Sequence, residues 1–303
     1  MLLDKHLVVV IGKGGVGKST VSAALALAAA RQGKRVLVAE VNTRERVSAL
    51  LGRRPVGSEV GPLEENIDAV DVEPRAAMRE YALMIVKFRS IYNAVFENRI
   101  VRYFLRAVPS LSQLVTLGKI LFHVQERLPD GRPKWDLVIM DAPATGHGSL
   151  LLRLPQVLST SMPAGPMAHE ARKMHEILTD PAQSAAALVT LPEAMPANET
   201  IELNRQLRDV VGMPPAALFL NGYVWPRFSS RERELLAEAE GEPALAPLAR
   251  AVLAREIRAE MSERYARKLA VDTDLAPVAI PHLFTRRFGR AEVERVSRIV
   301  EGA

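Results

Sequence analysis

A chain of 303 residues, 48% hydrophobic and 25% charged, can bury a substantial core and suits one α/β domain with insertions. The absence of cysteine excludes disulfides, thiolate metal sites and iron–sulfur clusters. The net charge of +5 arises from 40 basic and 35 acidic residues interleaved along the chain, a solvated Arg-rich surface and not a nucleic-acid or anionic-membrane face. No uncharged apolar run reaches about 18 residues, so no membrane span is expected. The opening Met1-Leu-Leu-Asp-Lys-His6 lacks the layout of a signal peptide, and a cytoplasmic address is expected.

In chain order, Leu7–Ile11 (LVVVI) is a short apolar run ending in a Gly-rich turn, the pattern of a buried strand in a parallel sheet. Thr20–Arg31 is Ala/Leu-rich and stops at Gly33, a helix with a glycine terminator. Arg35–Val41 is a second strand and Ile67–Val72 a weaker third; Leu137–Met140, Ala187–Thr190, Ala216–Leu220 and Val278–Ile280 complete the set. Strands alternating with helices predict a doubly wound, mostly parallel sheet of about seven to eight strands.

Residues from about 75 to 130 interrupt that rhythm. Tyr81, Met84, Ile85, Phe88, Tyr92, Val95 and Phe96 share a helical face, and Leu111, Leu114, Val115, Leu121, Val124 and Leu128 repeat the spacing after Pro109. The prediction is one domain, 1–303, with an α-helical subdomain inserted at 75–130 and a shorter helical or loop insertion at 159–185. Met162, Met167, Met174 and Met195 either line an adaptable apolar groove or pack in the core. In Ala291–Val300, Val293, Val296 and Val300 share a face, which predicts a docked terminal helix.

The segment Gly12-Lys13-Gly14-Gly15-Val16-Gly17-Lys18-Ser19-Thr20 matches G-x-x-x-x-G-K-[ST] and lies between a strand and a helix, as a phosphate-binding loop must. Its glycines let backbone N–H groups converge on phosphates, and the helix N-terminus adds a favourable dipole. ATP with Mg²⁺ is the expected ligand: Lys18 is expected to reach the β- and γ-phosphates, and the Ser19 hydroxyl to ligate Mg²⁺. Asp141, at the end of the strand Leu137–Met140 and opposite this loop, is placed to hold the water shell of the same ion. Gly146-His-Gly-Ser-Leu150 is not a nucleophile elbow, and His169 and His175, six apart, are no metal pair.

Lys13 with Gly14-Gly-Val-Gly-Lys18-Ser resembles the deviant phosphate loop of the MinD/ParA/ArsA group of dimeric ATPases, whose first lysine reaches across the dimer to the partner's nucleotide. Asp141-Ala-Pro143-Ala-Thr145-Gly146-His147 resembles the D-T-A-P-T-G-H switch II of the arsenite-pump ATPase ArsA and its relatives that target tail-anchored membrane proteins. The likeness implies a loop that rearranges on hydrolysis. It further implies that Asn221, closing the run Leu218–Asn221, reads the adenine, and that Ile280–Gly289, with Pro281 and Phe284, lies over the base. Leu191–Thr200 is similar to a segment of bacterial ArsA-like proteins in which Glu-Thr begins a helix. The resemblance is strong over 8–52 and 136–155 and loose through the helical insertion.

Two departures bear on the reaction. Set against the family's switch I, Val36–Gly52 has Asn42 where the water-orienting aspartate belongs; an amide can orient a water but cannot take its proton. Glu40, on the same strand face, is either a substitute for that aspartate or a structural carboxylate. The missing cysteines also remove the thiolates for arsenite and the Cys-x-x-Cys zinc clasp of the targeting ATPases. The resemblance therefore implies an ATPase working as a homodimer or as a heterodimer with a paralogue, and the two amphipathic faces within residues 75–130 point to an apolar protein segment as its client. A weakly hydrolytic regulatory subunit and a ParA/MinD-type positioning ATPase are the alternatives.

Overall fold

The computed structural model describes residues 1–41, 45–73, 109–161 and 164–303, the side chains of 109–112, 145, 147, 166 and 167 excepted. The expected residues 81–96, with Asn42 and Met162, lie outside them. Among the described residues, eight strands form one sheet: β1 (Leu7–Ile11), β2 (Val36–Val41), β3 (Gly61–Glu64), β4 (Ile67–Val72), β5 (Leu137–Asp141), β6 (Ser184–Thr190), β7 (Pro215–Tyr223) and β8 (Pro277–Pro281). Their order is β3-β4-β2-β5-β1-β6-β7-β8, parallel throughout except for β3 against β4. The doubly wound α/β fold is therefore the observed one. Strand β3 was not anticipated: its sequence, GPLE, has no apolar run, and its Pro62 is tolerable only because the strand is an edge.

The central strand β1 is buried at every residue, and successive side chains enter opposite layers of the core. Val8 and Val10 join a layer formed with α1 (Lys18–Arg31) and the terminal helix α9 (Arg290–Val300); Leu7, Val9 and Ile11 face the other. Every residue of α1 from Val21 to Ala29 is buried, because the helix is enclosed between the sheet and α9. Alanines permit that close approach. Val293, Val296 and Val300 dock α9 as expected, and Arg31 ties the two helices together through Glu294, Ser297 and Glu301.

The opposite face is covered by α3 (Pro109–Gln125), α4 (Thr145–Ser161), α5 (Pro166–Thr179), α6 (Ala194–Arg205) and α8 (Ala246–Thr273), with α7 (Ser230–Ala239) packed on α8. Leu114, Val115, Leu117, Ile120, Leu121 and Val124 of α3 all enter this core. The described part of the 75–130 stretch is thus a layer helix of the main domain, its apolar stripe already occupied. Residues 159–161 close α4 and 184–185 open β6, so between them only α5 and its flanks are added; Met174 is buried there. Met195, in α6, is 65% exposed.

Candidate nucleotide site

β1 sits where the strand order reverses: β5 pairs on one side of it, and β6, the next strand in sequence after β5, on the other. Parallel sheets of this kind open a crevice beyond the carboxyl ends of the strands at that point. The loop 12–17 crosses this crevice between β1 and α1. A Cβ at Gly12 would lie 2.1 Å from the carbonyl oxygen of Val189 in β6, so this position requires glycine for the loop to rest on the sheet. Gly17 has φ of 96°, and a Cβ there would lie 2.3 Å from Asn221 Nδ2. Asn221 is brought to the loop by β7 and donates to the Val16 carbonyl at 2.9 Å. Gly14 and Gly15 are exposed, while Val16 is buried and Thr20 half-buried.

Alternation along β2 and β5 sends Glu40 and Asp141 to the α1 side of the sheet, and the two are register partners on neighbouring strands. Both are buried. Ser19 Oγ donates to Asp141 Oδ2 at 2.6 Å and Ser22 Oγ to Oδ1 at 3.2 Å. Burial raises the Asp141 pKa, opposed by the Ser19 hydrogen bond, the Lys18 charge, the Ser22 hydrogen bond and the Arg46 charge. Burial likewise lowers that of Lys18, opposed by Asp141 and assisted by Arg46. Lys18 Nζ donates to the Lys13 carbonyl at 3.1 Å.

Glu40 is fully buried; its Oε1 accepts the backbone N–H of Arg46 at 2.7 Å, and its carboxylate accepts that of Val47 at 3.2 Å. It thereby anchors the start of the short α2 (Val47–Leu50). Burial pushes its pKa up to about 7, against those N–H bonds and with the Asp141 charge adding to the rise. Lys13 Nζ donates to Glu199 Oε1, in α6, at 2.5 Å.

The structure therefore brings Lys13, Lys18, Ser19, Glu40, Asp141 and Asn221 to one end of the sheet. Pro281 joins them: β8 pairs with β7 so that Asn221 faces Ile280 and Tyr223 faces Pro281. Phe284 lies beyond, 72% exposed, its ring 4.5 Å from that of His282. Of the expected rearranging loop, only Ala142, Pro143 and Ala144 lack regular structure; Thr145, Gly146 and His147 form the first turn of α4. The side chains of Thr145 and His147 lie outside the described residues. Sequence reasoning missed Ser22, Arg46 and Glu199. Ser22 was findable, since a position three beyond Ser19 lies on the same helical face.

The donor set here is hard oxygen, a hydroxyl beside a buried carboxylate, which suits Mg²⁺ and not a softer metal. Among the described residues no three His, Asp or Glu converge as a self-sufficient metal cage. Magnesium usually lacks one, because nucleotide phosphates and waters complete its shell.

The sequence profile of the anion-transporting ATPases matches residues 5–166, a span holding the phosphate loop, β2, β5 and the start of α5. The chain belongs to this family. The ATPase BagA of Mycobacterium tuberculosis is 30% identical over 242 residues, 78% of this chain and 70% of that protein. An arsenical pump-driving ATPase of Acidiphilium multivorum is 27% identical over 252 residues, 75% of this chain and 41% of that one. The ATPase ASNA1 homolog 1 of Paramecium tetraurelia is 26% identical over 153 residues, 50% of this chain and 44% of that protein. These likenesses support the ArsA-like P-loop ATPase resemblance drawn from the motifs. Among the described residues no helix is long and apolar enough to cross a membrane.

Proposed function

We propose that this anion-transporting ATPase family member binds Mg²⁺·ATP at the loop 12–20 and hydrolyses it as the switch of a dimer that captures or transfers an apolar protein client. The observation that carries the nucleotide reading is the Ser19–Asp141 hydrogen bond of 2.6 Å beside Lys18, at the switch point of the sheet. A hydroxyl at the start of α1 and a carboxylate at the end of β5 meet beside the loop. Backbone N–H groups of Gly14, Gly15, Gly17 and Lys18 bind the phosphates, and the Lys18 ammonium neutralises the β/γ region. Ser19 and Asp141 would hold Mg²⁺, which when bound offsets charge on the phosphates. Asn221 exchanges its bond to the Val16 carbonyl for the adenine edge, with Pro281 and Phe284 closing over the ring.

Lys13 acts across the dimer on the partner's nucleotide, where a cation offsets charge developing on the transferred phosphoryl group. Glu40 serves chiefly as the anchor of α2, which leaves Asn42 to orient the attacking water. That arrangement favours slow turnover, and with it the second reading of a regulatory subunit paired with a more active paralogue. Single-turnover hydrolysis of ATP separates the two. Hydrolysis by the purified chain, abolished in Lys18→Ala, supports the self-sufficient switch; tight binding without hydrolysis supports the paired subunit. Absence of both binding and hydrolysis refutes the nucleotide reading.

A further inference from the structure

Lys13 and Glu199 stand 186 positions apart, and their ion pair at 2.5 Å joins the phosphate loop to the middle of α6. The connection is short in space because α6 follows β6, the strand on which Gly12 rests. Glu199 thus belongs to the helix that follows the strand bracing the loop, and none of the chemistry above employs it. The two side chains keep 28% and 38% of their surface in water, so either can leave the other without stranding a buried charge. Lys18 differs: its ammonium is desolvated and turned onto the Lys13 carbonyl. Of two lysines in one loop, one is fixed by burial and the other is held, among the described residues, by one exchangeable carboxylate.

We propose that Glu199 is the positioning residue for Lys13: in the separate protomer it retains the Lys13 ammonium in cis, and the nucleotide of an adjoining protomer must displace it. The inference rests on the reading above that Lys13 acts across a dimer. A lysine ammonium is a compact charge on a flexible stem of four carbons, able to trade one anion for another by rotation about its own bonds. A triphosphate carries several negative charges and outcompetes one carboxylate, so the exchange proceeds when nucleotide is present and reverses when it leaves. Retention by Glu199 opposes premature association; removing the carboxylate removes that opposition.

The test is sedimentation equilibrium of the full chain with Mg²⁺ and a non-hydrolysable ATP analogue, on wild type, Glu199→Gln, Lys13→Ala and the double variant. Glutamine keeps the shape of the side chain and loses its charge. The expected result is a dimer dissociation constant about two- to thirtyfold lower in Glu199→Gln, the scale of the two partly exposed ion pairs that each dimer breaks. The gain disappears in the Lys13→Ala background and shrinks as salt is raised. Wild type that associates with nucleotide and depends on Lys13, while Glu199→Gln associates equally or more weakly, overturns this inference alone. Wild type that fails to associate overturns the dimer reading and the inference together.

Discussion

Glu40 offers a quantitative test of how the site is built. Its carboxyl is fully buried, and burial pushes its pKa up to about 7 from 4.5. The folded state therefore holds a proton on Glu40 that the unfolded chain releases between these two values. Stability from this group is present in full below pH 4.5, falls as pH rises, and is lost above about 7. At about 1.4 kcal/mol per pH unit, the loss amounts to about 3 kcal/mol. Glu40→Gln replaces the neutral acid by a neutral amide whose oxygen still accepts the N–H groups of Arg46 and Val47. Urea unfolding of both proteins at pH 5, 6, 7 and 8 isolates the effect, because groups common to both cancel in the difference. The variant should match wild type near pH 5 and exceed it by about 3 kcal/mol at pH 8. Two curves that stay parallel across this range would refute the buried, proton-holding Glu40.

Three further outcomes follow from the same geometry. Gly17→Ala places a Cβ 2.3 Å from the Asn221 amide at φ of 96°, a backbone conformation costing an alanine about 1–2 kcal/mol. Its thermal midpoint should fall by a few degrees and its ATP affinity by more than about tenfold, read by scanning and titration calorimetry. Ser19→Ala removes the hydroxyl bonded to Asp141 at 2.6 Å, and its affinity for ATP should become insensitive to Mg²⁺, measured by titration with and without the ion. Val296→Ala empties a wholly enclosed position between α1 and α9 and should cost about 2 kcal/mol in urea, with nucleotide affinity unchanged.

The strands that were legible are those buried on both faces. β1 matches its expected bounds to the residue and β2 to within one, because five or six consecutive apolar-dominated positions bounded by turns admit few alternatives. β3 was illegible because an edge strand can use Gly and Pro. β6 was anticipated only from Ala187, since its opening residues Ser184 to Ala186 are small and weakly β-forming. The phosphate loop was legible because its glycines answer to local geometry, Gly12 meeting Val189 and Gly17 meeting Asn221. Asp141 was legible from its place at a strand end.

Contacts formed by distant segments were not. Nothing local to Glu199 indicates Lys13 as its partner, and the engagement of Glu40 with the N–H groups of Arg46 and Val47 depends on the turn taken after β2. The amphipathic pattern of α3 was readable, but periodicity cannot say whether a stripe faces a client or the domain's own sheet. The structure gives the second answer for that helix.

The central claim, that the loop 12–20 and Asp141 form a Mg²⁺·ATP site, is tested most directly by calorimetric titration of ATP into the purified chain and Lys18→Ala. Saturable binding that strengthens with Mg²⁺ in the wild type and is lost in the variant is the predicted result. Binding that survives Lys18→Ala unchanged, or no binding by the wild type, contradicts the account.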